Sequence, residues 1–429
     1  MKILCTADVH IGRRPTRLPG RVDTSAHSCA RAWSNLVDCA IAEGVQLVLV
    51  AGDLVDQANR YYEAAGPVEA GVRALVSHGI GTVAVAGNHD HNTLPWVASR
   101  FRRDEFRLLG QQGRWERHTV ERDGRPVLHI DGWSFPAAVF LDDPLQPYPR
   151  RPRDGVPVIG LLHADLDQPN SRHAPVSLAA LRAAPVDFWL LGHIHRSALR
   201  QHAGGAALLY PGSPQAMDPG EPGVHGPWIV EIDSGGRFHA RMLPLSTVRY
   251  DSIEVDVAGA DEEAEVDRRV VASVHSALAA VEPEAGPLQY LSLRVRLTGR
   301  TPLHRRLQRR NWEEVGDLDA RSGEMRAGVE RLEIATRPAR DLDELAHGQD
   351  APALLARLIR NLDKGTLAPT EEELVRTAVA QVEEVWKARQ YLPLQEEDDE
   401  RPSEARVREL LGQQAMFLLD ELLASREGA

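Results

Sequence analysis

Residues 82–90 read TVAVAGNHD, five uncharged residues with β-branched members followed at once by Gly-Asn-His-Asp. An apolar run that stops at a glycine predicts a buried strand and then a sharp turn. A turn needs neither a histidine nor this order of side chains, so the polar tetrad calls for a chemical explanation. The same pattern recurs outward in both directions. KILCTA runs into Asp8-Val9-His10 and VQLVLVA into Gly52-Asp53, while PVIGLL meets His163 and DFWLL meets Gly192-His193-Ile194-His195. In α/β sheets, ligands gather beyond the carboxyl ends of the strands, so clusters that the sequence scatters can converge.

The residue types say what would converge. Imidazole, carboxylate and amide donors without a thiolate suit manganese, iron or zinc. Asp53, with two oxygens, could bridge two ions roughly 3.5–4 Å apart, the spacing that clamps a phosphoryl group during in-line displacement. A lone Asp-x-His or Gly-Asp would mean little. The ordered set, each member at a strand end, carries the reading.

Around these motifs the chain of 429 residues is long enough for two or three domains. Residues 1–245 alternate strands, including VLHIDGW, AALLY and WIVEID, with helical-period segments, the pattern of a layered α/β domain. One such segment carries Ala30, Trp33, Val37, Ala40 and Ile41, with Thr24 or Ser25 expected as its N-cap. Residues 246–340 place the strands DSIEVDV, YLSLRVRL and VERLEIA around one helix, a small α+β domain. Residues 341–429 are helical in pattern, with an acidic linker from Gln395 to Pro402. In that region Leu374, Val375, Val379, Val382 and Trp386 form one apolar stripe, and Leu410, Leu411, Leu418 and Leu419 crowd the last helix.

Composition narrows the function classes. Hydrophobic residues at 43% and charged residues at 26% match a globular protein. A net charge of −12 excludes a grip on nucleic acid through bulk positive charge, so any such contact is local or shared with a partner. Aromatic residues at 5% are too few for an extended base-stacking platform. Cys5, Cys29 and Cys39 have no metal-type spacing, the run from Met1 to Asp8 leaves no room for a signal-peptide core, and no stretch is long enough to span a bilayer; a cytoplasmic location is expected. Candidate substrate contacts are His91, His173 and Arg196. Arg294, Arg296, Arg300, Arg305, Arg306, Arg309 and Arg310 read either as a phosphate-tracking face or as the solvent side of their elements.

With DVH at 8–10, GDLVD at 52–56, GNHD at 87–90, His163 and GHIH at 192–195, the chain resembles the calcineurin-like metallophosphoesterase superfamily. That resemblance implies a layered β-sandwich flanked by helices, here followed by an α+β capping domain and a helical C-terminal region. It implies one ion on Asp8, His10, Asp53 and His195, and a second on Asp53, Asn88, His163 and His193, manganese foremost. It also implies that His89 is catalytic and that Asp90 orients it.

DVHIG, HAPVSLAAL, DFWLLGHIH and YPGSPQ at 210–215 resemble, more narrowly, the SbcD-type DNA repair exonuclease subunits, in the branch that includes YhaO. The resemblance covers about the first 245 residues. It departs at Val55, where nuclease members commonly carry an aromatic, and at Leu162, where many carry glycine. It implies a DNA exonuclease or endonuclease working with an SbcC-like coiled-coil ATPase docked on the C-terminal helices, with a homodimer as a further expectation. The alternatives are a phosphatase or small-molecule phosphodiesterase of the same superfamily, or a non-catalytic scaffold. Gln57 and Asp90 stand where protein phosphatases of the superfamily carry arginine and glutamate, which disfavours a monoesterase. The complete ligand set disfavours the last.

Overall fold

The computed structural model describes all residues except 20–21, 57–60, 150, 202–205, 283–285, 313–319, 387–402 and 428–429. The acidic linker expected at 395–402 lies outside the described residues.

Two six-stranded sheets form the sandwich. The first runs, in spatial order, Phe238–Met242, Trp228–Ile232, Lys2–Thr6, Leu47–Ala51, Gly81–Val85 and Phe106–Leu108. From Lys2–Thr6 onward its strands are parallel. The second orders Ala198–Arg200, Ala207–Tyr210, Phe188–Gly192, Val158–His163, Arg125–Trp133 and Glu116–Arg122, parallel in its four central strands. These strands read as nearly continuous apolar runs because both of their faces are covered. Ile3, Cys5, Leu49, Val83 and Val85 meet Ile130, Ile159, Leu161 and Leu190 between the sheets. The alternate residues Leu4, Val48, Val50 and Ala84 face outward, onto helices Cys29–Ala42 and Tyr61–Ser77. The first of these helices buries Trp33, Val37 and Ala40, as its spacing predicts, together with Leu36, while Ala30 and Ile41 are half-buried against the same core. Its N-cap is Ser28, whose Oγ accepts from the Arg31 N–H; Thr24 and Ser25 lie in the turn before it.

Beyond the sandwich, strands Val248–Asp256, Tyr290–Thr298, Met325–Ile334 and Ala320–Ser322 form a four-stranded sheet in that order. Helix Glu263–Val281 buries Val266, Val270, Val274 and Leu278, one residue per turn.

The chain divides into two compact units. The first comprises Met1–Asp256, Val266–Leu297 and Asn311–Ile334; the second comprises Val257–Glu265, Thr298–Arg310 and Ala335–Ala429. In the second, helix Ala351–Lys364 starts on an Asp350 cap and ends on Gly365 in the left-handed conformation. It packs Leu358 and Ile359 against Ala415 and Leu419 of the last helix, Glu404–Glu427. Asp420, also buried, accepts from Arg300 and Arg340 and faces Arg337 at 3.7 Å. Among the described residues, no helix is long and apolar enough to cross a membrane.

Candidate metal centre

Five strand ends deliver the polar residues to one place. Asp8 and His10 follow Lys2–Thr6, Asp53 follows Leu47–Ala51, and Asn88 to Asp90 follow Gly81–Val85. In the other sheet His163 ends its strand and pairs in register with Gly192, beyond which His193 and His195 stand. The first two loops are zipped together: the Asp8 N–H donates to Gly52 O, His10 N–H to Asp53 O and Ile11 N–H to Leu54 O. Asp8, His10, Asp53 and His193 all have positive φ, between 50° and 98°. Non-glycine residues hold such angles only where their surroundings compel them, and such residues gather at functional sites.

The donor atoms form two foci around Asp53. At the first, His10 Nε2 lies 3.2 Å from His195 Nε2, and Asp8 offers an oxygen within 4.8 Å of both rings' donors. His195 Nδ1 is hydrogen-bonded to the Glu221 carboxylate, so it carries the ring proton and Nε2 presents a lone pair. At the second, His163 Nδ1 donates to Ala51 O, which turns its Nε2 lone pair toward Asn88 Oδ1 at 3.0 Å and Asp53 Oδ2 at 3.4 Å. Lone pairs meeting at one point require a proton or a cation. Two imidazoles bonded to one ion at ~2.0–2.1 Å bring their nitrogens to about 3 Å, close to the 3.2 Å between His10 and His195. The residues therefore fit a pair of divalent ions, with Asp53 placed to serve both. His193 stands at the edge of the second focus, its ring centroid 5.2 Å from that of His163.

Electrostatics follow from burial and from this crowding. Burial pushes the Asp8 carboxyl up to about 6, against the pull of His163 and His195. Burial also drives His10 and His193 down to about 3, keeping both rings neutral. For Asp53 burial works upward, but His163, His10 and His89 outweigh it and hold the carboxyl well below the carboxylate range. His163 is the counterpart: burial would lower it, yet Asp53 and Asp8 bring it up to about 9.

His89 is placed differently from the other histidines. Its side chain is 40% exposed, and Nδ1 lies 3.2 Å from Asp56 Oδ1. That hydrogen bond, partly offset by burial, raises the imidazole above its ordinary value. Arg13 Nε stands 3.4 Å from the other Asp56 oxygen. The expectation that Asp90 orients His89 is therefore corrected. Asp90 is fully buried and accepts the backbone N–H groups of Gly87, Leu54 and Val55, tying two strand-end loops together. Burial and Asp53 push its carboxyl up to about 7 against those bonds. GDLVD ends in Asp56 and GNHD in Asp90, and sequence alone does not say which one turns toward the imidazole.

Among the other candidates, the His173 ring lies 4.9 Å from that of His193, and His91 Nδ1 bonds Asn88 O. Arg196 is exposed. The arginine-rich stretch is largely matched by acids: Arg294 with Glu330, Arg296 with Glu254, Arg300 with Asp420, and Arg306 and Arg310 with Glu263. Arg294 and Arg296 belong to the first compact unit and the rest of the stretch to the second.

Residues 1–197 match the calcineurin-like phosphoesterase family, and residues 250–337 match the middle domain of metallophosphoesterase YhaO. The uncharacterized metallophosphoesterase YhaO of Bacillus subtilis is 29% identical over 53% of this chain, a match that spans 57% of that protein's own length. A protein named DNA double-strand break repair protein Mre11, from Methanopyrus kandleri, is 25% identical over 78% of both chains. A dimetal phosphatase structure from Danio rerio aligns with 56% of this chain and 98% of its own, at 12% identity and a TM-score of 0.36. With two domain matches in this order and a donor set that fits two ions, residues 1–197 are a calcineurin-like phosphoesterase domain, of the kind that hydrolyses phosphoesters with metal ions, followed at 250–337 by a middle domain of the YhaO type.

Proposed function

We propose that this chain is a DNA nuclease subunit, hydrolysing phosphodiester bonds with two divalent ions, manganese foremost, in an SbcCD-like repair complex. The observation that carries the substrate class is the match to Mre11 over 78% of both chains, which runs well past the catalytic sandwich. Asp8, His10, Asp53 and His195 would hold one ion, and Asp53, Asn88, His163 and His193 the other. The ions would supply the charge that steadies the phosphoryl group during in-line displacement. His89, held at Nδ1 by Asp56, is exposed enough to reach substrate and to give a proton to the leaving oxygen. Asp90 keeps the loops of Asp53 and His89 at fixed spacing through backbone bonds. DNA, an SbcC-like ATPase and a second copy of the chain are the proposed partners, and the cytoplasm the proposed compartment.

The test is incubation of the purified protein with labelled single- and double-stranded DNA, cyclic nucleotides and a phosphopeptide, each with manganese or with chelator. Metal-dependent cleavage of DNA supports the reading. Turnover of the phosphopeptide or of cyclic nucleotides alone moves the chain to the phosphatase or small-molecule branch, and no turnover at all favours a scaffold.

A further inference from the structure

The segment 210–221, which begins YPGSPQ, lies outside the ligand set, yet three of its polar side chains are buried. Ser213, Gln215 and Glu221 are all at most 9% exposed. The segment grips His195 at two points. The Ser213 N–H donates to the His195 carbonyl at 3.0 Å, an approach that needs Gly212 at φ 75°, where a side chain would press on that same carbonyl. Glu221 Oε1 then accepts from His195 Nδ1 at 2.6 Å.

Glu221 is itself held. Its Oε2 accepts from Ser213 Oγ at 3.2 Å and from the Met217 N–H at 2.9 Å, and the His225 ring spans the carbonyls of Ser213 and Glu221. A carboxylate so occupied cannot swing round to ligate an ion, and it lies against the Nδ1 side of the ring, away from His10. What it can do is fix the ring's rotation and its tautomer, because the proton must sit on Nδ1 and the Nε2 lone pair must face His10 Nε2.

We propose that Glu221, braced by Ser213 and Met217, is the positioning residue that sets His195 for the ion shared with Asp8, His10 and Asp53. This rests on the two-ion reading above. It assigns the YPGSPQ segment a task, that of a buckle closing one focus of the centre and leaving the other alone.

The test uses the full chain with Glu221→Leu, which removes both acceptors, and Glu221→Gln, which keeps one oxygen for Nδ1 but turns an amide toward the Met217 N–H. Two readouts are taken: Mn²⁺ titration by calorimetry, and histidine ¹⁵N NMR on metal-free protein. In wild type, at a pH high enough to leave the ring neutral, the His195 signals should be those of a fixed Nδ1–H tautomer. In Glu221→Leu they should shift to a tautomer mixture, and one of the two Mn²⁺ affinities should fall about 10- to 100-fold while the other stays within a few-fold. Glu221→Gln should lie between, which decides the matter should the leucine variant not fold. Unchanged His195 signals with two wild-type affinities in a folded variant would overturn the assignment, as would an equal loss of both ions. If wild-type protein takes up no Mn²⁺, the two-ion reading fails, and the metal-free tautomer signal still decides whether Glu221 positions His195.

Discussion

At the scale of single residues the division of labour is testable because His89 alone among the motif histidines is both substantially exposed and tied to a carboxylate outside the two foci. His89→Ala should lower turnover by ~10²- to 10⁴-fold while two ions remain bound, measured by steady-state rates beside elemental analysis. Asp56→Asn should keep the ions as well and lower kcat by roughly 10- to 100-fold, since it spoils the hold on Nδ1 without touching an ion ligand. The protons carry a third expectation. An ion can bind only deprotonated ligands. His163 is held protonated up to about 9 and Asp8 up to about 6, so Mn²⁺ uptake should release protons below pH 9. Affinity should climb as pH rises through that window and level off above it. Calorimetry in two buffers of different ionisation enthalpy reads this directly, and a binding constant flat between pH 6 and 9 would contradict it. The residues gathered at the two foci were legible in the sequence because each stands at, or a few positions beyond, the carboxyl end of a strand. Asp56 and Glu221 were not, because what marks them is where a side chain points after folding, and Glu221 lies 26 positions from the ring it holds.

At the scale of elements, the centre depends on how closely the two sheets approach at their carboxyl ends. A side chain at Gly192 would collide with the Ala51 carbonyl oxygen and press on His163 Nδ1, disrupting the bond that sets the His163 tautomer. Gly192→Ala should cost ~1–3 kcal/mol of stability by urea unfolding, the usual penalty of overpacking, and should weaken the ion at the His163 focus more than the other. The strands themselves were plain from sequence: every apolar run preceding a motif became a strand, since burial on both faces demands such runs. The N-cap of the first helix was misjudged by a few residues, because Thr24, Ser25 and Ser28 are all chemically able to cap and only the turn geometry chooses Ser28. The arginine stretch showed the opposite limit. Its positive charge was visible, but not the acids from distant elements that meet it.

At the scale of the whole molecule, the last helix is partly spoken for. Leu419 and Ala415 are covered by helix Ala351–Lys364, and Asp420 is the shared ion-pair partner of three arginines. Removing the helix would expose that core and leave the arginines without their carboxylate, so truncation damages the second unit and cannot test docking cleanly. Leu418, 49% exposed on the same helix, can. If an SbcC-like ATPase docks there, Leu418→Glu should weaken co-purification while melting and metal-dependent cleavage stay at wild-type levels; undiminished co-purification would move the dock elsewhere. His10 and His195 share a focus across 185 positions, and the carboxylate behind His195 comes later still. Contacts of such long range form late, after the local structure of either sheet. A chain emerging from the ribosome therefore carries only half-sites until its second sheet is made, and a complete centre arrives with the finished domain, not with its first folded piece.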